Sequence, residues 1–378
     1  MAHYLDHAAT TPVRPGAVEA MLPVLTETYG NPSGAHRMAR AANHLLDDAR
    51  DTMATALGAE PGQIVFTGGG TEADSLAIRG TLDAAGGVAV CTAIEHHAVL
   101  DPIEYVGGRV VPVAPNGVID LNALADALDE SVTLVSVMLA NNETGVIQPL
   151  DEVATVVREH APAAVLHTDA VQALCWLDVA ALAAEADLVS VSAHKFGGPK
   201  GVGALVVRDR AVLSPLLRGG GQERDRRGGT QNVPGIVAMA TAAAETLAER
   251  PTAVPRVSAL RDRLADGIRD AVDGVTESGV ADRDRRHKTA NLCHLCFAGV
   301  ESEALLFLLE RQEIMASAAS SCASGAMDPS HVLAAMGVDR RLAAGSLRLS
   351  LGYSTTDADV DAALAAVPAA VGQIRAAG

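Results

Sequence analysis

The sequence predicts an α/β protein with a large, mostly parallel sheet and a second, smaller α+β domain. Short β-branched or apolar runs alternate with Ala/Leu-rich helical stretches through the first two-thirds of the chain, the pattern of parallel strands joined by helices. The alternation stops near Arg250-Pro251. The size agrees: 378 residues, 49% hydrophobic and 20% charged, are enough for two units with substantial interiors.

Seven strands are expected in the first part, at 64–66, 88–91, 110–113, 132–138, 164–167, 188–192 and 203–207. Helical periodicity fills gaps between and after them, for example at 121–128, 150–159 and 233–249. Beyond residue 250 come a helix at 257–272, a charged loop at 282–288, a strand at 291–297, a helix at 301–312 and a strand at 346–351. The expected division is 16–250 for the large domain, with 1–15 and 251–378 forming the small one.

Charge and cysteine usage narrow the function. Lys+Arg 29 against Asp+Glu 46 leaves a net charge of −17, a field that repels polyanions and disfavours direct nucleic-acid binding. The N-terminus lacks a basic-then-apolar signal pattern, and no uncharged apolar run reaches the ~18 residues of a membrane span. Five cysteines, an odd number in a long chain, argue against a disulfide scaffold. A cytoplasmic protein is expected.

Three of the 29 basic residues are lysine: Lys195, Lys200 and Lys288. Lysine alone among the basic residues of high pKa can become a neutral amine nucleophile near neutral pH, and two of the three share the segment Ser192–Gly201. Polar clusters fall at the carboxyl ends of the expected strands, where open α/β sheets bind ligands. After strand 64–66 come Gly68-Gly69-Gly70-Thr71-Glu72, then helical residues; this is either a phosphate-binding turn at a helix N-terminus or an ordinary tight turn. Strand 88–91 leads to Glu95-His96-His97, strand 164–167 to His167-Thr168-Asp169, and strand 188–192 to Ser192, His194 and Lys195. His96, His167, Asp169 and His194 have the donor types of a metal centre. The same residues also suit pyridoxal 5′-phosphate (PLP), which needs a lysine for covalent attachment, an aspartate at the pyridine nitrogen and a phosphate cup. The metal reading leaves Lys195 and the glycine turn without a task; the PLP reading uses both.

Cys91 and Cys175 read as buried packing thiols, and Cys293-His294-Leu295-Cys296 as a lone pair without a zinc partner. Cys322 sits in a stretch of small, uncharged residues, Ala316–Gly325. It is either a loop-borne nucleophile or an incidental thiol.

With these residues in view, the chain resembles the cysteine desulfurases, PLP enzymes of the class-V aminotransferase, fold-type I group. The motifs run in the family's order: Tyr4-Leu5-Asp6-His7-Ala8-Ala9-Thr10-Thr11-Pro12, Tyr29-Gly30-Asn31-Pro32-Ser33, Ile94-Glu95-His96-His97, and Ala140-Asn141-Asn142-Glu143-Thr144-Gly145. His167-Thr168-Asp169-Ala170-Val171-Gln172, Ser192-Ala193-His194-Lys195, Gly219-Gly220-Gly221-Gln222-Glu223-Arg224 and Ser346-Leu347-Arg348-Leu349-Ser350 follow. The resemblance implies Lys195 as the cofactor-bearing lysine, Lys200 as structural, and His96 as ring-stacking acid/base. Asp169 would pair with the pyridine nitrogen and Gln172 with the phenolic oxygen. Gly70, Thr71, Ser192 and His194 would hold the phosphate, joined by Thr230 from a partner subunit, which implies a homodimer. Arg348 would clamp the carboxylate of L-cysteine with Asn142 and Asn31, and Cys322 would take its sulfur as a persulfide. The sulfur would pass to an acceptor protein, such as an iron–sulfur scaffold or a tRNA-thiolation enzyme. Four positions depart from the family's usual reading: Ala319 and Ser321 in Ala319-Ser320-Ser321-Cys322, Ser75, and Gly228 in Arg227-Gly228-Gly229-Thr230. A selenocysteine lyase, a metal hydrolase and a catalytically idle sulfur adaptor are the competing readings.

Overall fold

The computed structural model describes residues 2–318 and 330–377. The chain opens on β1 (His3–Tyr4), α1 (Pro15–Thr26) and α2 (Arg37–Leu57) and then enters the large sheet. Its strands are β2 (Ile64–Thr67), β3 (Val88–Thr92), β4 (Arg109–Val111), β5 (Val132–Ser136), β6 (Val165–Asp169), β7 (Leu188–Ser192) and β8 (Gly203–Val207). The connecting helices are α3 (Gly70–Ala85), α4 (His97–Tyr105), α5 (Leu121–Ala127), α6 (Leu150–His160) and α7 (Val179–Leu182). The spatial order is β2-β8-β7-β6-β5-β3-β4. β4, β3, β5, β6 and β7 run parallel, while β8 is antiparallel to both its neighbours. β6, β7 and β8 are buried along their whole length, as central strands of a sheet covered on both faces are. The α/β class and the large, mostly parallel sheet expected from the sequence are present.

Two apolar clusters lie on either side of the sheet. One joins Leu46, Met53 and Leu57 of α2 with Val135, Leu166, Val189 and Val206 of the strands. The other joins Leu76, Ala77 and Ile78 of α3 with Val65, Leu134, Leu188 and Leu205. The alternation of strand neighbours between these clusters follows from the period of two.

The next helix, α8 (Val233–Ala271), is 39 residues long and runs without a break through Arg250-Pro251. Asn232 caps it by accepting from Gly235 N. Ile236, Met239 and Ala243 pack in the first cluster, whereas Val257, Leu260, Leu264 and Ile268 pack in a further one with β10. The helices expected at 233–249 and 257–272 are therefore one element. Pro251 and Pro255 remove two backbone donors from it, and burial on two cores holds it together.

β9 (Val275–Glu277), β10 (Leu292–Phe297), α9 (Ser302–Glu310), β11 (Ile314–Met315), α10 (His331–Ala335), α11 (Arg340–Ala343), β12 (Ser346–Ser350) and α12 (Asp357–Ala377) complete the chain. β12-β10-β9 form an antiparallel sheet. β1 pairs in parallel with β11, His3 opposite Ile314, and Asp6 bridges to Ser350. The N-terminal segment is thus carried onto the far end of the chain and then returns past the large sheet. α12 is long and apolar enough to cross a membrane by length and composition, but Val360, Ala363, Val367 and Val371 pack into the core with β10 and β12.

Candidate active site

The carboxyl ends of β2, β6 and β7 open into a cavity of about 510 Å³, within the range of cofactor sites. At one end, β2 stops at Thr67 and α3 begins at Gly70. Thr67 Oγ1 donates to the Gly69 carbonyl, and Gly68 N donates to Glu72. Gly69 has φ 151, which favours glycine. A Cβ on Gly70 would stand 2.9 Å from Val171 Cγ2 and 3.3 Å from Ser192 Cβ, so glycine keeps this corner open. Thr71, Ser192 and His194 complete a cup of hydroxyl and imidazole groups at the helix N-terminus. Burial, with the neighbouring Lys195 and Lys200 charges, lowers His194 to about 4; its Nδ1 lies 3.2 Å from Thr10 Oγ1. Lys200 is exposed on the outer side of the cup.

The middle of the cavity holds the acid–base groups. Asp169, the last residue of β6, accepts from Val171 N at 2.8 Å. Burial raises its carboxyl, partly offset by that bond and by His96 and Lys195. Lys195 ends a single 3-10 turn after β7, and its Nζ donates to the carbonyls of Ala8 (2.6 Å) and Ala9 (3.0 Å). Burial and the Arg348 charge bring it down to about 8, so a substantial neutral fraction exists near neutral pH. His96 is the N-cap of α4 and accepts from Ala98 N through Nδ1, which leaves the proton of the neutral ring on Nε2. Burial lowers its pKa. Gln172 Nε2 donates to Ala8 O.

Arg348, from β12, closes the other end. Its Nη1 donates to Asn142 O at 3.1 Å and its Nη2 to Asp6 Oδ1 at 2.8 Å, while Nε is buried without a partner. This leaves a guanidinium held from behind with a donor to spare, the arrangement for taking a carboxylate.

Gly70, Thr71, His96, Asn142, Asp169, Gln172, Ser192, His194, Lys195 and Arg348 therefore line one cavity. Two expected residues do not. Asn31 is exposed and accepts from Ser33 N, and Thr230 is exposed in the loop before α8. Cys322 lies outside the described residues. The metal reading fails on geometry: His167 spends Nδ1 on Ser136 and Nε2 on Ser190. Among the described residues no three His, Cys, Asp or Glu side chains are grouped to hold an ion. Cys91 is buried as expected, whereas Cys175 is only half-buried, its Sγ 3.5 Å from Lys195 O. Sequence reasoning passed over Asp6 and Asp74. Asp6 stands in the quoted opening motif; Asp74 carries no signal beyond its place as the fifth residue of α3.

PLP fits these residues. The cup stays open because Gly70 has no Cβ, a lysine of lowered pKa stands in the middle, and the Asp169 carboxyl has no cation bonded to it. Residues 3–363 match the aminotransferase class-V family. An IscS-like cysteine desulfurase of Mycobacterium tuberculosis is 45% identical over 98% of this chain and 97% of its own. A solved NifS-like protein superposes with a TM-score of 0.90 at 36% identity, covering 99% of this chain and all of that one. A structure of SspA in complex with cysteine matches with a TM-score of 0.78 at 30% identity, over 94% of this chain and 100% of its own. Fold and site thus define a class-V aminotransferase-type enzyme, a class that generally depends on PLP. Within that class the chain belongs to the cysteine desulfurases.

Proposed function

We propose that the cavity holds PLP and that the enzyme converts L-cysteine to L-alanine, leaving the sulfur on Cys322 as a persulfide. The convergence of Lys195, Asp169, the Gly70 cup and Arg348 on one cavity carries this reading. When bound, the cofactor supplies covalent attachment for the amino group and an electron sink for the Cα carbanion.

The chain's own groups do the rest. The α3 N-terminus with Thr71, Ser192 and His194 would hold the phosphate, and Asp169 would hold the proton of the ring nitrogen. Gln172 would hydrogen-bond the phenolic oxygen, and His96 would stack on the ring with its Nε2 proton available as an acid. Arg348 and Asn142 would fix the substrate carboxylate in the cavity that also holds Lys195 Nζ. A neutral Lys195 takes that proton, a role its lowered pKa favours. The Cys322 thiolate attacks the substrate sulfur; the S–S bond forms as the Cβ–S bond breaks, and protonation of the carbon skeleton releases alanine.

The reading extends to a homodimer in which Thr230 reaches the phosphate of the second subunit's site. It also includes a cytoplasmic location and delivery of the sulfur to an acceptor protein. Residues 16–250 serve as the cofactor unit, with 1–15 and 251–378 as the smaller unit. The test is alanine release from L-cysteine with a thiol reductant, run beside Cys322→Ala. Wild type should release alanine and the variant should not. A yellow, PLP-loaded wild type that releases none would sink the proposal.

A further inference from the structure

The proposed reaction leaves one acid of the cavity without a task. Asp74, the fifth residue of α3, is 1% exposed, lines the cavity with Asp169, and has no hydrogen-bond partner for Oδ1 among the described residues. That oxygen lies 3.6 Å from His167 Nε2. His167 is itself fully buried, its Nδ1 2.8 Å from Ser136 Oγ and its Nε2 2.9 Å from Ser190 Oγ. The Ser190 hydroxyl also stands within reach of the Asp74 carboxyl, where a bond from it would favour the carboxylate. Side chains from β5, β6, β7 and α3 thus form a line, Ser136–His167–Ser190–Asp74.

Such a line has two consistent polarities. If Asp74 is ionised, Ser190 donates to Asp74, His167 Nε2 donates to Ser190, and Ser136 donates to His167 Nδ1. If Asp74 keeps its proton, every bond reverses, and His167 Nδ1–H donates to Ser136. Charge decides between them. The groups facing Asp74 are the buried carboxyls of Asp169, on β6, and Glu95, after β3. Lys195, and His96 when it is protonated, favour the charge of Asp169 instead, as does the Val171 N–H bonded to it. Burial holds His167 neutral, at about 3, so it offers no countercharge. Burial and the neighbouring carboxylates raise Asp74 well above the ordinary range. Two acids sharing a desolvated site do not both ionise.

We propose that Asp74 is a positioning residue that keeps its proton as a neutral carboxylic acid at the head of the Ser190–His167–Ser136 line. Asp169 is then the single negative charge of the pair, matched to the single ring-nitrogen cation of the cofactor. This rests on the reading of the cavity as a PLP site.

Infrared difference spectra between wild type and Asp74→Asn test it. The carbonyl stretch of a protonated carboxylic acid, resolved above the amide I band, should be lost in the variant, with Glu95→Gln run to assign the Glu95 band separately. Asp74→Ser reads the same band should the asparagine variant fold poorly. In PLP-loaded Asp74→Asn the pH midpoint of the cofactor's visible absorption should stay within about 0.3 of wild type, because a neutral amide replaces a neutral acid. Removing a true charge there would lower that midpoint by about one unit or more. Loss of no acid band, or a midpoint drop of that size, overturns the proposal. Failure of the wild type to take up PLP would instead sink the reading of the cavity, and the infrared band would still report Asp74 in the bare protein.

Discussion

At Glu95 the carboxyl is fully buried just before the candidate acid–base histidine. One oxygen accepts from Thr92 Oγ1 and Met138 N, and the other has no partner. Burial pushes its pKa up to about 8. The folded state therefore binds a proton that the unfolded chain releases near the usual carboxyl pKa of about 4.5. The stability tied to this proton is fully present below that value and is lost as pH rises toward 8. Glu95→Gln should flatten this slope. Relative to wild type, its unfolding free energy should improve by on the order of 1–3 kcal/mol between pH 5 and pH 8, measured by denaturant unfolding across that range. Parallel slopes for the two proteins would show that Glu95 is ionised in the fold. Lys195 shows the same desolvation acting on a base, where it lowers the pKa to about 8 and so favours the neutral amine that the proposed proton abstraction needs.

Among the elements, α3 matters most to the site. Its first residue is a glycine with no room for a Cβ, its first turn carries Glu72 tied to Arg227 at 2.8 Å, and its second buried position brings in Asp74. Gly70→Ala should press Val171 and Ser192 into the cup and weaken PLP binding by about tenfold or more, roughly 1.4 kcal/mol. The bare protein should lose no more than about 1 kcal/mol of stability, because alanine suits a helix start better than glycine does. Cofactor titration followed by absorbance reads the first effect; unchanged affinity would mean that the phosphate sits elsewhere. α8 shows a second way in which an element exceeds its local sequence. Its prolines mark a break by propensity, yet its N-terminal half packs on the large sheet and its C-terminal half on β10, so tertiary contacts override the two missing backbone bonds.

For the whole molecule, the placement of Thr230 carries the clearest expectation. It is exposed and outside the cavity in a single chain, which supports a role on a second copy. Sedimentation equilibrium should give twice the 38.7 kDa chain mass, and Thr230→Val should speed PLP loss several-fold without dissociating the dimer. A monomer that retains PLP as firmly as the dimer would contradict both. Arg348 is assembled at the same scale: β12 supplies the guanidinium, the N-terminal segment supplies Asp6, and the loop after β5 supplies the Asn142 carbonyl.

Local pattern alone was enough to read the seven strands of the large sheet. Runs such as Leu188–Ser192 and Gly203–Val207 are mostly apolar or β-branched, with Asp187 before the first and Arg208 after the second, so their bounds are legible in the chain. The site residues in ordered motifs were legible for a similar reason: the ends of buried strands must place their polar side chains beyond the sheet. Only the tertiary structure decided the rest. β1 and β11, two residues each, exist because His3 meets Ile314, a pairing that no local window contains. The join of 233–249 with 257–272 into one helix depends on two cores lying in line. The proton on Asp74 depends on Asp169, Glu95, His167 and Ser190 meeting around it, and burial and distance, which set the charge of an acid, arise only when distant segments pack together.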